Sequence, residues 1–266
     1  MMKRLLFILF FLLMAVCHSE AQWNYGFGYR QRHHSTVPAI AGIKGGITSY
    51  NMVFSNEQYN KLPGESVVNP GFGAFIEYPI SYFPGFSVGA ELMFVKRGMS
   101  KTFDYRGYIK ETDEIEAKYF DIRIPVTYYF YRAYMLNPYV FVAADMAFCY
   151  GGFISKTFPD GQLTDQMVDI SRSDAVMATF DFSVLAGIGL RYKIRTPSYD
   201  FFVKVDGGYN FGLMNTLSKT DGVPVDVYAY SFDKNETRKN RGFEFMISFG
   251  FPLKAKIDND PCRSWF

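Results

Sequence analysis

Only three histidines are available to this chain, His18, His33 and His34. Imidazole is the commonest base for hydrolytic or acyl-transfer chemistry and a frequent metal ligand. His18 stands just after an apolar N-terminal run, within the first 21 residues. His33 and His34 stand in a segment rich in Gly, Tyr and Arg, without Cys, His or carboxylate neighbours at ligand spacing. A Ser-His-Asp site in the body of the chain therefore lacks its base. Asp160, Asp165, Asp169 and Asp174 crowd one polar stretch, but their spacing is not that of a calcium loop, and solvated loop acids are the reading, with loosely held calcium or lipopolysaccharide-bridging ions as the alternative. Cys149 and Cys262, the two thiols outside the N-terminal run, do not make a disulfide framework in so long a chain. No catalytic residue, cofactor or metal is expected.

More informative charges lie inside apolar segments. In 118–130, KYFDIRIPVTYYF, Asp121 and Arg123 alternate with Phe120, Ile122, Ile124 and Val126. In 180–192, FDFSVLAGIGLRY, Asp181 and Arg191 oppose Phe182, Val184 and Ile188. Residues 201–211 put Lys204, Asp206 and Asn210 on one side, and 242–251, GFEFMISFGF, set Glu244 against Phe243, Phe245, Ile247, Phe249 and Phe251. A strand sends successive side chains to opposite faces, so each segment shows large apolar groups to one environment and charges to another. In an ordinary half-buried sheet the charged row would see water, but repetition of the pattern in strand after strand fits an enclosed, polar second face, as in the interior of a membrane barrel. By this alternation Lys44, Glu77, Glu91, Arg97, Asp121, Arg123, Asp145, Asp181, Arg191, Lys204, Asp206 and Glu244 are assigned to the lumen. Phe120, Ile122, Phe182, Val184, Phe243, Phe245, Ile247 and Phe249 are assigned to lipid. Glycines 42, 46, 73, 89, 187, 189 and 208 would make room for the long interior side chains.

Eight strand-like stretches carry these faces, at 38–50, 68–81, 85–100, 115–130, 138–152, 176–193, 200–213 and 240–253. Long polar connections (51–67, 101–114, 153–175, 214–239) alternate with short ones (82–84, 131–137, 194–199), as in outer-membrane barrels with external loops and periplasmic turns. Lys3 and Arg4 precede an apolar run from Leu5 to Cys17, too short to span a bilayer and suited to a signal peptide, with cleavage expected after Ala21. Val16 before Cys17 fits a lipoprotein site poorly. Without a spanning helix, membrane entry must be by a closed barrel. Thus 1–21 reads as signal peptide, 22–37 as a periplasmic segment, 38–253 as the barrel and 254–266 as a periplasmic tail. The weak alternation of VPVDVYAY at 223–230 extends the last hairpin or forms an extra strand. Pro79 and Pro125 fall within strands, where a bulge or an unpaired position is expected. The aromatic content of 19%, from 28 Phe and 20 Tyr, suits strands and interfacial girdles. A net charge of +2 gives no reason to expect a nucleic-acid partner.

The stretches GIKGGITSYNMVFSN (42–56), PGFGAFIEYPIS (70–81), FSVGAELMFVKRGMSK (86–101), YFDIRIPVTYYF (119–130), NPYVFVAADMAF (137–148) and NRGFEFMISFGFPL (240–253) resemble successive strands of the PorT-like outer-membrane β-barrel family of Bacteroidetes. The resemblance implies an all-β, eight-stranded antiparallel up-and-down transmembrane barrel in a Gram-negative outer membrane. Its named member is tied to type IX secretion and gliding, but no motif here singles out that branch, and the tail KAKIDNDPCRSWF departs from ending on the last strand. An eight-stranded barrel is only wide enough for side chains to fill it, so the lumen charges should pair across the interior. The expected role is a monomeric, non-enzymatic anchor or surface contact platform meeting outer-membrane lipid and lipopolysaccharide, with accessory contacts to envelope or secretion proteins left open. A narrow ion or solute channel and a soluble lipocalin-like carrier are the alternatives.

Overall fold

The computed structural model describes residues 39–55, 60, 64–80, 83, 85–105, 109–130, 136–158, 166–169, 178–195, 200–216 and 237–253. The expected signal peptide, His33 and His34, Asp160, Asp165, Asp174, the weakly alternating stretch 223–230, Cys262 and the tail lie outside the described residues. Eight long strands are present: β1 (Ile40–Phe54), β3 (Val67–Pro79), β4 (Phe86–Tyr105), β5 (Ile109–Tyr129), β6 (Leu136–Thr157), β8 (Phe180–Arg195), β9 (Asp200–Gly212) and β10 (Arg238–Pro252). Two short ones, β2 (Gly64–Glu65) and β7 (Gln166–Asp169), flank β4 and β6. Each long strand pairs antiparallel with the next, and β10 returns to β1 over a ladder from Ile40↔Pro252 to Phe54↔Arg238. Closure leaves none of the eight strands with a free edge, which is what lets a sheet satisfy its backbone in lipid.

Strand lengths divide the wall into two parts. β4, β5 and β6 run for 20, 21 and 22 residues, whereas the other five have 13 to 16. The polar segment 101–114, expected as a loop, is instead mostly ladder, with pairs from Lys101↔Asp113 to Tyr105↔Ile109. Part of 153–175 is likewise strand, since β6 reaches Thr157 and β7 pairs with it. Strand pairing outlasts the apolar pattern there because side chains beyond the membrane no longer need to be greasy. We call this long-hairpin side the far end, and the side bearing Ile40 and Pro252 the terminal end.

Local irregularities follow the residues. Pro125 keeps its ladder to β6 but interrupts the one to β4, where pairing skips from Val88↔Val126 to Glu91↔Arg123. Pro79 differs from expectation: it is the last residue of β3, paired with Ser87, and ends the strand without bulging it. The bulge is in β6, where Lys118↔Gly151 is followed by Tyr119↔Cys149 and Tyr150 is left unopposed. Gly85 turns the chain into β4 at a φ of 97°, a left-handed conformation that glycine adopts without strain.

Outward positions carry the exposed apolar side chains, and their aromatics form contacts along the wall: Phe72 stacks on Phe94 at 5.4 Å, Phe94 meets Phe120 at 5.3 Å, and Phe86 meets Tyr128 at 4.8 Å. From Phe120 to Phe130 along β5 and its end, ten residues at roughly 3.3 Å each and a tilt of about 40° give a height of about 25 Å. That is the height of the apolar band of an outer-membrane barrel. Phe243, Phe245, Ile247 and Phe249 are exposed on this surface, and Phe120, Ile122, Phe182 and Val184 are half-buried in it.

Candidate functional site

The interior is built from the opposite parity of the same strands and is stratified along the barrel axis. At the terminal end, Glu77 of β3 accepts hydrogen bonds from Ser87 Oγ at 2.9 Å and Tyr129 Oη at 3.0 Å and pairs with Lys204. Arg191 stands 3.9 Å from the same carboxylate, with its guanidinium 3.8 Å from the centroid of the Tyr129 ring. One layer further in, Lys44 of β1 bridges Glu91 at 3.2 Å and Asp206 at 3.3 Å, and Tyr139 donates to Asp206 at 3.0 Å. A cavity of about 20 Å³ between Lys44, Glu91, Tyr139, Lys204, Asp206 and Ser248 has room for one water among several polar partners.

The centre is a six-member cluster of fully desolvated charges. Arg123 forks onto Glu244, Nη1 to Oε2 at 2.7 Å and Nη2 to Oε1 at 2.8 Å, and also donates to Asp121 at 2.9 Å. Tyr50 donates to the same Glu244. Arg97 donates to Asp121 at 2.6 Å, Asp145 at 2.8 Å and Asp181 at 3.3 Å, while its guanidinium lies between the Tyr50 and Tyr119 rings at 5.0 and 5.1 Å. Ser183 and Asn210 also donate to Asp145, and Asn240 donates to Asp181. Removing charges from water costs several kcal/mol per ion, and bidentate, multiply bonded geometry of this kind is what compensates it. Beyond the cluster, toward the far end, Met52, Phe54, Met99, Ile115, Ala117, Tyr119 and Ala147 form an apolar layer.

All twelve charged residues assigned to the lumen from sequence therefore face the interior, ten of them below a tenth exposed and each in an ion pair within the three layers, with Glu91 and Arg191 at the better hydrated terminal-end margin. Five are cationic and seven anionic, leaving two formal negative charges in excess. Gly187 and Gly189 lie beneath aromatic rings: a Cβ at either would fall 2.7 Å from Phe141 or 2.4 Å from Tyr139. Sequence reasoning missed the inward tyrosines, Tyr50, Tyr119, Tyr129 and Tyr139, because aromatics were credited to the lipid face. Parity contained the signal: each stands an even number of residues from a lumen charge on its own strand, Tyr119 two before Asp121 and Tyr139 six before Asp145. Among the described residues there is no histidine and no cluster of metal-ligating side chains.

A match to a protein family agrees with this architecture. The outer membrane protein beta-barrel domain family matches residues 38–218. Among solved structures, the chain is similar to Ail, the attachment invasion locus protein of Yersinia pestis, in complex with the heparin analogue sucrose octasulfate, at 13% identity and a TM-score of 0.33, covering 81% of this chain and 99% of that one. It is similar to Neisserial surface protein A at 10% identity and a TM-score of 0.38, covering 80% and 97%. The outer membrane protease OmpT from Escherichia coli is similar at 10% identity and a TM-score of 0.38, covering 82% and 98%. No curated protein matches the chain. A family match across about two thirds of the sequence, on a closed eight-stranded wall with a greasy exterior, makes this chain a member of the outer membrane protein beta-barrel domain family, resident in the outer membrane.

Proposed function

We propose that the protein is a non-enzymatic anchor and contact platform: a stiff, filled barrel that holds the far ends of β4, β5 and β6 above the membrane surface. The observation that supports it most is the interior, where three layers of paired charge and one apolar layer occupy the lumen. In this reading a signal peptide ending at Ala21 delivers the chain, both termini face the periplasm, and the long hairpins meet the outside. The barrel acts as a monomer, with envelope or secretion proteins as the class of partner for its projecting strands. A PorT-like role in Bacteroidetes belongs to the same proposal, on the strand resemblance given above.

A narrow ion or small-solute channel is the second reading, favoured by the succession of ionised side chains along the interior. Planar-bilayer recording of refolded protein separates the two. The platform reading expects a silent bilayer, and discrete conductance steps from correctly folded barrels would overturn it. The carrier alternative is disfavoured by the outward Phe row of β10, since a soluble carrier would turn that row inward.

A further inference from the structure

The outer wall is not uniformly covered. An open groove of about 510 Å³ crosses β8, β9, β10, β1 and β3, and its lining is almost wholly apolar. Ile47, Val68, Ile188, Tyr209, Phe243 and Phe245 form its sides. Its floor exists because Gly207, an outward position opposite Ile188 and Phe245, has no side chain. A Cβ built at Gly207 would meet only the Glu244 carbonyl oxygen, at 3.8 Å. The glycine is therefore not required by crowding, in contrast to the inward Gly46, whose Cβ would fall 2.0 Å from the Phe245 carbonyl oxygen.

Above the groove, on the same face of β10, stand Arg241 and Lys239. Arg241 is ten residues from Phe251, or about 25 Å up the wall by the usual strand rise and tilt, which is headgroup height. Its ladder neighbours are Asn51 and Phe211, and that of Lys239 is Val53. The Asn51 Oδ1 is occupied by the Met52 amide, and Arg241 Nε is buried without a hydrogen-bond partner. Among the described residues neither cation has a carboxylate partner. Two uncompensated cations over an apolar trough match a ligand with an anionic head and hydrocarbon tails.

We propose that this face binds a phosphorylated, multiply acylated glycolipid of the outer leaflet, the lipopolysaccharide class, with one acyl chain over Gly207 and a phosphate on Arg241 and Lys239. The assignment of leaflet rests on the far end facing outward. The test uses full-length protein purified from membranes in mild detergent, with bound lipid read by native mass spectrometry after adding purified lipopolysaccharide or phosphatidylglycerol. Wild-type protein should retain lipopolysaccharide in preference to phosphatidylglycerol. Gly207→Leu, which fills the trough, and the pair Arg241→Gln with Lys239→Gln should each reduce retention at least about tenfold, with the heat-dependent gel mobility of a folded barrel unchanged. Equal retention of phosphatidylglycerol, no retention by wild type, or undiminished retention by both folded variants would overturn the proposal. Thiol labelling of a Ser55→Cys variant from outside the cell, read against wild type with its native Cys149 and Cys262, reports orientation separately, so an inverted barrel and an absent lipid site give different results.

Discussion

Replacing Arg97 by Met keeps an unbranched stem between the Tyr50 and Tyr119 rings and removes the charge that three carboxylates share. Asp121 and Asp145 both bond the same Nη2, at 2.6 and 2.8 Å, so the two oxygens lie within about 5 Å of one another and repel by about 3 kcal/mol at an effective dielectric of about 20. Breaking a buried pair by removing one partner costs about 3–5 kcal/mol in general, and the two figures agree. A loss of about 3–5 kcal/mol is therefore expected for Arg97→Met. Asp181→Asn should behave oppositely: four carboxylates face two arginines in this cluster, and Asp181 Oδ1 is buried without a hydrogen-bond partner. An amide there removes excess negative charge while its own oxygen can accept from Arg97 and Asn240, so the change should be neutral to stabilising. The assay is urea titration of detergent-refolded protein, followed by circular dichroism and by the gel mobility of unboiled samples. An Arg97→Met midpoint equal to wild type at unchanged slope, or an Asp181→Asn loss as large as that of Arg97→Met, would refute the electrostatic argument.

Other outcomes follow from the wall and its ends. Gly46→Ala drives a Cβ into the β10 backbone at Phe245, and the folded, heat-modifiable band should be lost. Phe245→Arg places a charge on the exposed apolar face and should lower stability by about 2–4 kcal/mol if that position lies near the midplane, as measured by the same titration. Amides of 101–105 and 109–114 should exchange with deuterium more slowly than those of an open loop, because they belong to the β4–β5 ladder.

The strands were legible because lipid enforces a strict rule: every second residue must be apolar, and a single slip would bury a Phe and expose a charge. That rule made 180–192 and 242–251 readable almost to the residue. It stops at the membrane surface, which is why IKETDE at 109–114 reads as loop yet runs as strand. The interior was legible through its charges, which stand out against apolar neighbours, and illegible through its tyrosines, which do not. In YYF at 128–130 composition alone cannot say which ring turns inward. The ladder decides it, since Tyr129 shares parity with Arg123 and is 2% exposed. The ion pairs themselves join residues far apart in sequence, such as Arg123 and Glu244, and only the closed sheet fixes which charges lie at the same height.

Glu244 sits on β10, the last strand of the closed wall in chain order, yet it takes the forked bonds of Arg123 from β5 and the hydroxyl of Tyr50 from β1. Asn240, on the same strand, completes Asp181. An open sheet of seven strands would hold Arg123 and Arg97 beside acids that lack their remaining partners, with the central layer still reachable by water. Docking of β10 acts as a latch: it seals the seam and supplies the missing acceptor in one movement. Half-closed forms are left without a stable interior of their own, so insertion should be concerted, with a chain truncated before Arg238 remaining a client of its assembly machinery and not a partial barrel.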